Sequence, residues 1–286
     1  MDQNYQNNGY QNNGYQNDGY QNNGYQNNGY QQNYNGYNNN GYNGFNNGVE
    51  NRGFRGFNAD SVSGAFGEAA EALRQKVVAQ SFLFMVAALA ITAVGAFVGT
   101  DLMLQWMMTS PMNLVLLFVA EIAIVIVSNI ALKKNNVVLS ATLLTAYSFI
   151  NGATLGIVCM GYVQTSVTKV FIITAVMFGV TAFYGLVAKK DLSSIGGLCF
   201  MGLIGLIITG VVNMFLHSSG LDYFASFIGV AVFVGLTAYD TQKIKQKTAF
   251  ADESNITALS LNGAFELYLD FINLFLYLLK IFGKRR

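Results

Sequence analysis

The stretch Leu261–Leu279, LNGAFELYLDFINLFLYLL, is long and apolar enough to cross a membrane, yet it carries two acids. On a helix, four of its polar side chains follow one another at spacings of four, four and three residues. They therefore share one face, the polar stripe formed by Asn262, Glu266, Asp270 and Asn273. A charge at the centre of a bilayer costs at least ~2.5 kcal/mol on insertion scales. The polar stripe is therefore expected to face protein or water, with the other helices surrounding it.

The composition of the 286-residue chain is that of a membrane protein. Hydrophobic residues make up 52% of it and charged residues only 11%, whereas soluble domains average about 25% charged residues. A formal net charge of +1 without a basic domain argues against a nucleic-acid partner. Cys159 and Cys199 lie inside apolar runs, which favours small core side chains over a disulfide or a metal site. No metal site is assigned, and no cofactor is expected.

Six further apolar segments precede the last one, each bounded by charged or turn residues. They cover residues 77–98, 113–132, 139–160, 170–188, 195–216 and 223–239. Together with residues 261–279 they predict an all-α integral membrane protein with seven transmembrane helices. Because most connections are short, sequential helices are expected to be antiparallel neighbours in a compact bundle.

Residues 1–58 form a tail built from a five-residue unit, QNNGY, which repeats between Gln6 and Tyr30. The tail has almost no aliphatic side chain to bury, so it is predicted to be disordered. It is either a solvated tail without a specific partner, the favoured interpretation, or a weak multivalent association segment. Residues 59–76 are predicted to form an amphipathic lead-in helix, supported by Glu71 three residues before Arg74. Residues 77–286 form the membrane domain.

Lysines and arginines cluster at alternate segment ends, which predicts a cytoplasmic amino terminus. The clustered residues are Arg74, Lys76, Lys133, Lys134, Lys189, Lys190, Lys243, Lys245 and Lys247. Seven crossings would place the four basic residues after the last segment on the other side, against the same rule. Either the amino-terminal charges dominate, or the last segment is enclosed by protein or re-entrant.

Acids at or within the membrane segments are the candidate functional residues. They are Glu121, Asp240, Glu266 and Asp270. No lysine or arginine lies deep in any segment, so some of these acids are expected to be protonated or to share a proton. An interfacial Asp240 paired with Lys243 is an equally good interpretation of that acid. Glu121 could be satisfied by Ser128 or Thr142. Asp270, in the middle of its segment, is the strongest functional candidate.

Two motifs, GLTAYDTQKIK at residues 235–245 and ELYLDFINLFLYLLKIFG at residues 266–283, resemble the signature of the Bax-inhibitor family, also called the transmembrane Bax-inhibitor-motif family. The resemblance covers residues 72–283 and excludes the tail. It implies six helices around a central seventh, and a hydrogen-bonded Asp240–Asp270 pair that senses protons. It also implies a basic latch at the cytoplasmic end of the second helix. Lys133 and Lys134 are the candidates for that latch, with Lys where the family has Arg.

The function expected from the acids and from this resemblance is a pH-sensitive calcium leak, with calcium as the permeant ion. Glu121 and Glu266 are candidate acids of the ion pathway. A membrane-embedded regulator that binds a protease or survival factor is the alternative, and a proton-coupled transporter is a third hypothesis, suggested by a glycine-rich fifth segment. No HExxH, phosphate loop, GxSxG or Cys/His cluster indicates an enzyme. The expected location is a bacterial plasma membrane, with an endoplasmic reticulum or Golgi membrane as the alternative.

Overall fold

The structure, a computed structural model, describes residues 59–134, 136–248 and 254–286. These residues form eight α-helices and, among themselves, no β-strand beyond one isolated bridge. The helices are α1 Ala59–Val98, α2 Thr100–Thr109, α3 Met112–Lys133, α4 Val137–Met160, α5 Gln164–Val187, α6 Ser193–Leu216, α7 Ser219–Lys247 and α8 Ile256–Phe282. Every apolar segment predicted from the sequence is helical. The predicted tail, residues 1–58, lies outside the described residues.

Six of the helices in the described part of the chain are long and apolar enough to cross a membrane: α1 from Gly67 onward, α3 up to Leu132, α4, α5, α6 and α7. Their outer faces expose large apolar side chains such as Phe183, Met201 and Phe215. A water-soluble protein rarely exposes apolar surface on this scale, whereas lipid tails cover it at no cost. The chain is therefore a multi-pass membrane protein.

Helix α8 is as long as the spanning helices but differs from them in burial. Sixteen of its 27 residues are buried, and no residue between Ala258 and Leu279 is exposed on any side of the helix. α8 contacts α1, α3, α4, α5 and α7, whereas α6 packs on α7. The expected ring of six helices around a central seventh stays a prediction, as does the number of seven crossings.

The helices beside α8 form two groups. α1 packs closely on α4, and α3 and α2 pack on α4 as well, whereas α5 and α6 both pack on α7. Helices α4 and α5 are joined by only residues 161–163, yet each packs mainly on other partners. The expectation that sequential helices are close neighbours is therefore wrong for this pair, and it is also wrong for the spanning pairs α1–α3 and α5–α6, which make almost no contact. A short connection fixes only the helix ends.

Glycines bring α1 and α4 into backbone contact. A Cβ at Gly95 would overlap the main chain of Phe149, and one at Gly152 would overlap the main chain of Thr92. Gly99, at the end of α1, faces the Ala153 side chain. The small-residue pair Gly95 and Gly99 noted in the sequence thus lies at a real interface, as expected where membrane helices associate through close packing.

Replacing Gly152 with Ala should destabilise the bundle by about 1–3 kcal/mol, because the new methyl group must push α1 and α4 apart. The matched control is Gly179→Ala on α5, where an added Cβ meets no atom within 4 Å. This control should gain about 0.5–1 kcal/mol, since alanine is the better helix former. Thermal melting of both variants in one detergent measures the difference. Equal melting temperatures would contradict the close contact.

Two features of the first part of the chain differ from a simple series of spans. The lead-in segment is continuous with the first span in the single helix α1, and the Arg74 guanidinium contacts the Glu71 carboxylate at 2.8 Å. The short helix α2, TDLMLQWMMT, follows α1 directly. It was not predicted, because ten residues are too few to stand out as a membrane segment.

Candidate functional site

Helices α7 and α8 run antiparallel, and their facing polar side chains form an acid–lysine cluster. Lys243 Nζ lies 2.9 Å from Glu266 Oε1 and 3.4 Å from Asp240 Oδ1. Lys247 Nζ lies 3.2 Å from the same Glu266 oxygen and also donates to the Asn262 side-chain oxygen. The face predicted for Asn262 and Glu266 is therefore present, and two lysines of α7 occupy it.

Asp270 lies one turn further along α8 and is the most buried member of this cluster. Its side chain is only 4% exposed, and its Oδ2 atom has no hydrogen-bond partner. It is close enough to Asp240 and Glu266 for their charges to act on it. The hydrogen bond between Asp240 and Asp270 that the resemblance implies is not among the contacts of the described residues. Asp240 contacts Lys243 instead, as the interfacial interpretation expects.

The charges of the acid–lysine cluster do not balance when every group is ionised. Asp240, Glu266 and Asp270 supply three negative charges, whereas Lys243 and Lys247 supply two positive ones. A charge without a counter-charge is costly away from water. In this cluster the group with the fewest compensating contacts is the Asp270 carboxyl, whose Oδ2 atom has no hydrogen-bond partner. One proton or one additional positive charge would make the cluster neutral.

The residues that follow Asp240 in the sequence motif attach α7 to the end of α5. The buried Gln242 side chain accepts from the N–H of Leu192 at 2.8 Å and donates to the carbonyl of Lys190 at 2.9 Å. Lys245 donates to the carbonyl of Leu186 at 2.8 Å. The part of this motif that follows Asp240 is thus structural, since Gln242 and Lys245 fix the α5–α6 connection to α7. Sequence reasoning missed this role, because nothing in a single chain indicates which loop a glutamine will cap.

In the same connection, Asp191 accepts hydrogen bonds from the side chain and the backbone N–H of Ser193, at 2.7 and 3.0 Å. The Ser193 hydroxyl and N–H hold the pKa of Asp191 below its usual range. This exposed acid is therefore ionised throughout the neutral pH range, and it provides a control for the acids of the cluster.

A second polar group surrounds Glu121 of α3. The Oε1 atom of Glu121 is buried without a hydrogen-bond partner, and its charge reaches Tyr147 and Tyr268. The Tyr268 hydroxyl lies 2.7 Å from the Thr92 hydroxyl and donates to Asn151 Oδ1 at 3.4 Å. These tyrosines were missed, because on an apolar helix an aromatic residue is normally a packing residue.

The two neighbours proposed to satisfy Glu121 do not contact it. Thr142 donates to the carbonyl of Val138 in its own helix, and the Ser128 hydroxyl is buried without a partner. Asn273, the last member of the polar stripe, donates to the carbonyl of Leu269 in its own helix. Glu121 therefore keeps an uncompensated buried oxygen, as Asp270 does.

The proposed latch residues lie at the end of α3. Lys134 is the C-cap of that helix, its side chain is exposed, and it forms no ion pair with another described residue. The Lys133 side chain lies outside the described part of the structure. The cations that contact the acids come from α7. The latch stays a prediction.

The far end of α8 is attached at the opposite end of the bundle. Lys280 Nζ lies 2.7 Å from Asp222 Oδ1 at the start of α7. Beyond α8, the Val163 N–H donates to the Lys284 carbonyl at 2.8 Å, and the Arg286 N–H donates to the Gly161 carbonyl at 3.1 Å. α8 is one unbroken helix between these two ends, so it does not turn back within the bundle as a re-entrant segment would.

Comparisons with known proteins agree with the fold and with the motifs. The profile of a family described as "Inhibitor of apoptosis-promoting Bax1" matches residues 74–286. "Inner membrane protein YbhL" of Escherichia coli K12 is 40% identical over 217 residues, which cover 74% of this chain and 93% of that protein. An uncharacterised protein of Rickettsia prowazekii, RP147, is 37% identical over 206 residues, covering 71% and 87%. One from Borreliella burgdorferi is 36% identical over 218 residues, covering 75% and 94%.

Proposed function

This chain belongs to the Bax-inhibitor family of multi-pass membrane proteins, and from its acid–lysine cluster we propose that it is a pH-sensitive calcium leak. The observation that carries the proposal is the charge imbalance at Asp270, a buried carboxyl with an unpartnered oxygen beside two other acids. A site with an excess negative charge attracts both protons and cations, so a proton and a permeant cation compete for it.

The proton acts on the contact between α7 and α8. With a proton on the Asp240–Asp270 pair the cluster is neutral, and the two helices hold together through Lys243 and Lys247. When the proton leaves, the added negative charge repels Asp240 and Glu266 and favours a different arrangement of the two helices. Two interacting carboxyls titrate as one unit, so the response to pH is a property of the Asp240–Asp270 pair and not of either residue alone.

Calcium would pass along the polar side of α8. Ca²⁺ takes six to eight oxygen ligands at ~2.3–2.6 Å, and carboxylate oxygens are available at Asp240, Glu266 and Asp270. Glu121 supplies a further acid, near Tyr268 on the face of α8 opposite Asp270. Among the described residues no group of three or more such acids, Cys or His has the geometry to hold a metal ion. Permeation requires weak, passing contacts, because the ion must be released.

The topology that we propose has α8 as the seventh crossing, with the other spanning helices around it. In support, α8 is covered on all sides and joins opposite ends of the bundle. With the lysine-rich ends of α3, α5 and α7 in the cytoplasm, the amino terminus is cytoplasmic and residues 284–286 lie outside. The membrane is a bacterial plasma membrane, as for the inner membrane relative. The activity involves no enzymatic step.

The transporter hypothesis gains no support from the glycine-rich segment. α6 is unbroken from Ser193 to Leu216, whereas transporter sites typically use interrupted helices. Gly196 faces the ring of Tyr239, and Gly202 faces Val232 of α7. These two glycines allow α6 to pack on α7.

Calcium entry into proteoliposomes that contain a calcium dye tests the proposal. The full chain should carry calcium at a rate that changes when the outer solution is stepped between about pH 6 and about pH 8. Asp191→Asn, which removes an exposed acid outside the cluster, should leave that dependence unchanged. Protein-free vesicles give the background. If folded protein carries no calcium at any pH, the leak is refuted, and a mild-detergent pull-down then tests the regulator alternative.

Deleting residues 1–58 should leave both the rate of calcium entry and its pH dependence unchanged. All the acids and lysines of the cluster lie in the membrane domain, and the match to the family begins only at residue 74. The truncated and full-length chains are compared in the same vesicles at equal protein content. A loss of entry in a folded truncated chain would show that the tail takes part in conduction.

A further inference from the structure

An apolar cleft of about 500 Å³ lies between the two groups of helices, at the end of the bundle opposite the acid–lysine cluster. One wall is α1 with α4, the other is α5, and the floor is α8. This is the space left because α4 and α5 share a short connection but pack on different partners. The volume is within the range of ~300–1,000 Å³ typical of sites for small ligands.

The cleft opens toward the lipid. Its floor is formed by the buried Phe271 and Phe275, whereas its rim carries the exposed side chains of Phe97, Phe171 and Met160. The helices that form both walls cross the membrane, so the rim faces hydrocarbon. Water gains no hydrogen bonds in an apolar space of this kind. A hydrocarbon chain entering between α4 and α5 would therefore fill it.

The charged side chains that line the mouth of the cleft are one of each sign. Asp101, at the start of α2, and Arg286, beside the α4–α5 connection, both line it, together with Gln164 at the start of α5. Asp101 and Arg286 are both exposed, and neither forms an ion pair with another residue of the described ranges. An anionic head group would satisfy only Arg286, whereas a zwitterionic head group offers a phosphate to Arg286 and an ammonium to Asp101.

We propose that this cleft binds one phospholipid with a primary ammonium head group, of the phosphatidylethanolamine class. One acyl chain lies on Phe271 and Phe275, the phosphate accepts from the Arg286 guanidinium, and the ammonium donates to the Asp101 carboxylate. A quaternary ammonium cannot donate these hydrogen bonds, and a glycerol head group has no positive charge. The lipid site rests on the fold and does not depend on the calcium leak.

Native mass spectrometry of the full chain, released from nanodiscs of equal parts phosphatidylethanolamine, phosphatidylcholine and phosphatidylglycerol, tests the site. One phosphatidylethanolamine per chain should remain bound. Ala93→Phe places a ring in the cleft and should lower its retention roughly tenfold, about 1.4 kcal/mol. The matched control is Val176→Phe on the exposed surface of α5, outside the cleft. This control should retain the lipid as the unchanged protein does.

The head-group contacts are tested separately, with variants at exposed positions that should not disturb folding. Asp101→Asn should remove the preference for phosphatidylethanolamine over phosphatidylcholine, and Arg286→Gln should lower the retention of all three lipids. Equal retention of the three lipids by the unchanged protein would overturn the assignment. So would a preference for phosphatidylglycerol, or full retention by both Asp101→Asn and Ala93→Phe.

Discussion

Asp270→Asn should make calcium entry independent of pH between about pH 6 and about pH 8, with the rate at both values equal to that of the unchanged protein at the lower pH. The amide has the shape of the protonated carboxyl but cannot lose a proton. In the unchanged protein, raising the pH takes the cluster from neutral to a net charge of −1. In the variant it stays neutral, because Asp240 and Glu266 are balanced by Lys243 and Lys247.

The measurement is the proteoliposome assay with Asp270→Asn beside Asp240→Asn and the control Asp191→Asn. Asp240→Asn should also flatten the pH profile, since either carboxyl of a coupled pair can hold the shared proton. If Asp270→Asn keeps the full pH dependence while Asp240→Asn loses it, the sensor is Asp240 with Lys243 and Glu266. If both variants keep it, the acid–lysine cluster does not sense pH.

Lys243→Met should lower the free energy of unfolding by roughly 3 kcal/mol, because it leaves the Asp240 carboxylate without its ion-pair partner in a largely buried place, while Glu266 keeps only Lys247. Lys243 is the residue through which α7 contacts both Asp240 and Glu266. Its aliphatic stem is replaced by a side chain of similar length, so the loss comes from the charge. Melting temperature in a single detergent measures it.

Adding Asp240→Asn to Lys243→Met should recover most of the lost stability. The double variant keeps Glu266 paired with Lys247, with a protonated Asp270, and is neutral again. The control Lys190→Met, at an exposed position, should change stability by less than about 0.5 kcal/mol. If the double variant is less stable than Lys243→Met, the interaction of Lys243 with Asp240 is not what stabilises this part of the bundle.

The helices and the polar stripe could be predicted from the sequence because both depend on local pattern. Apolar runs of about twenty residues predict membrane helices, and the spacing of Asn262, Glu266 and Asp270 places them on one face. The partners of that face lie on α7, where Lys243 and Lys247 occur one turn apart. The motif contains Lys243, and Lys247 follows the motif by two residues, but a row of lysines near a membrane end normally indicates a cytoplasmic loop.

Contacts between distant parts of the chain could not be predicted in this way. Nothing local in the sequence shows that Gly152 meets Thr92, or that Tyr268 reaches Thr92 and Asn151. The separation of α4 from α5 could not be predicted for the same reason, since the partner of a helix depends on how its side chains fit those of other helices along its whole length. No feature of the sequence therefore indicates the cleft between them.

The burial of α8 on all sides has a consequence for how the protein is made. Chains are synthesised from the amino terminus, so α8 leaves the ribosome after every helix that it contacts. Until then Lys243 and Lys247 lack Glu266, and the apolar faces that α8 covers remain open. A nascent chain whose six spanning helices before α8 are inserted therefore has neither a closed bundle nor a complete acid–lysine cluster. Translation of α8 supplies both at once.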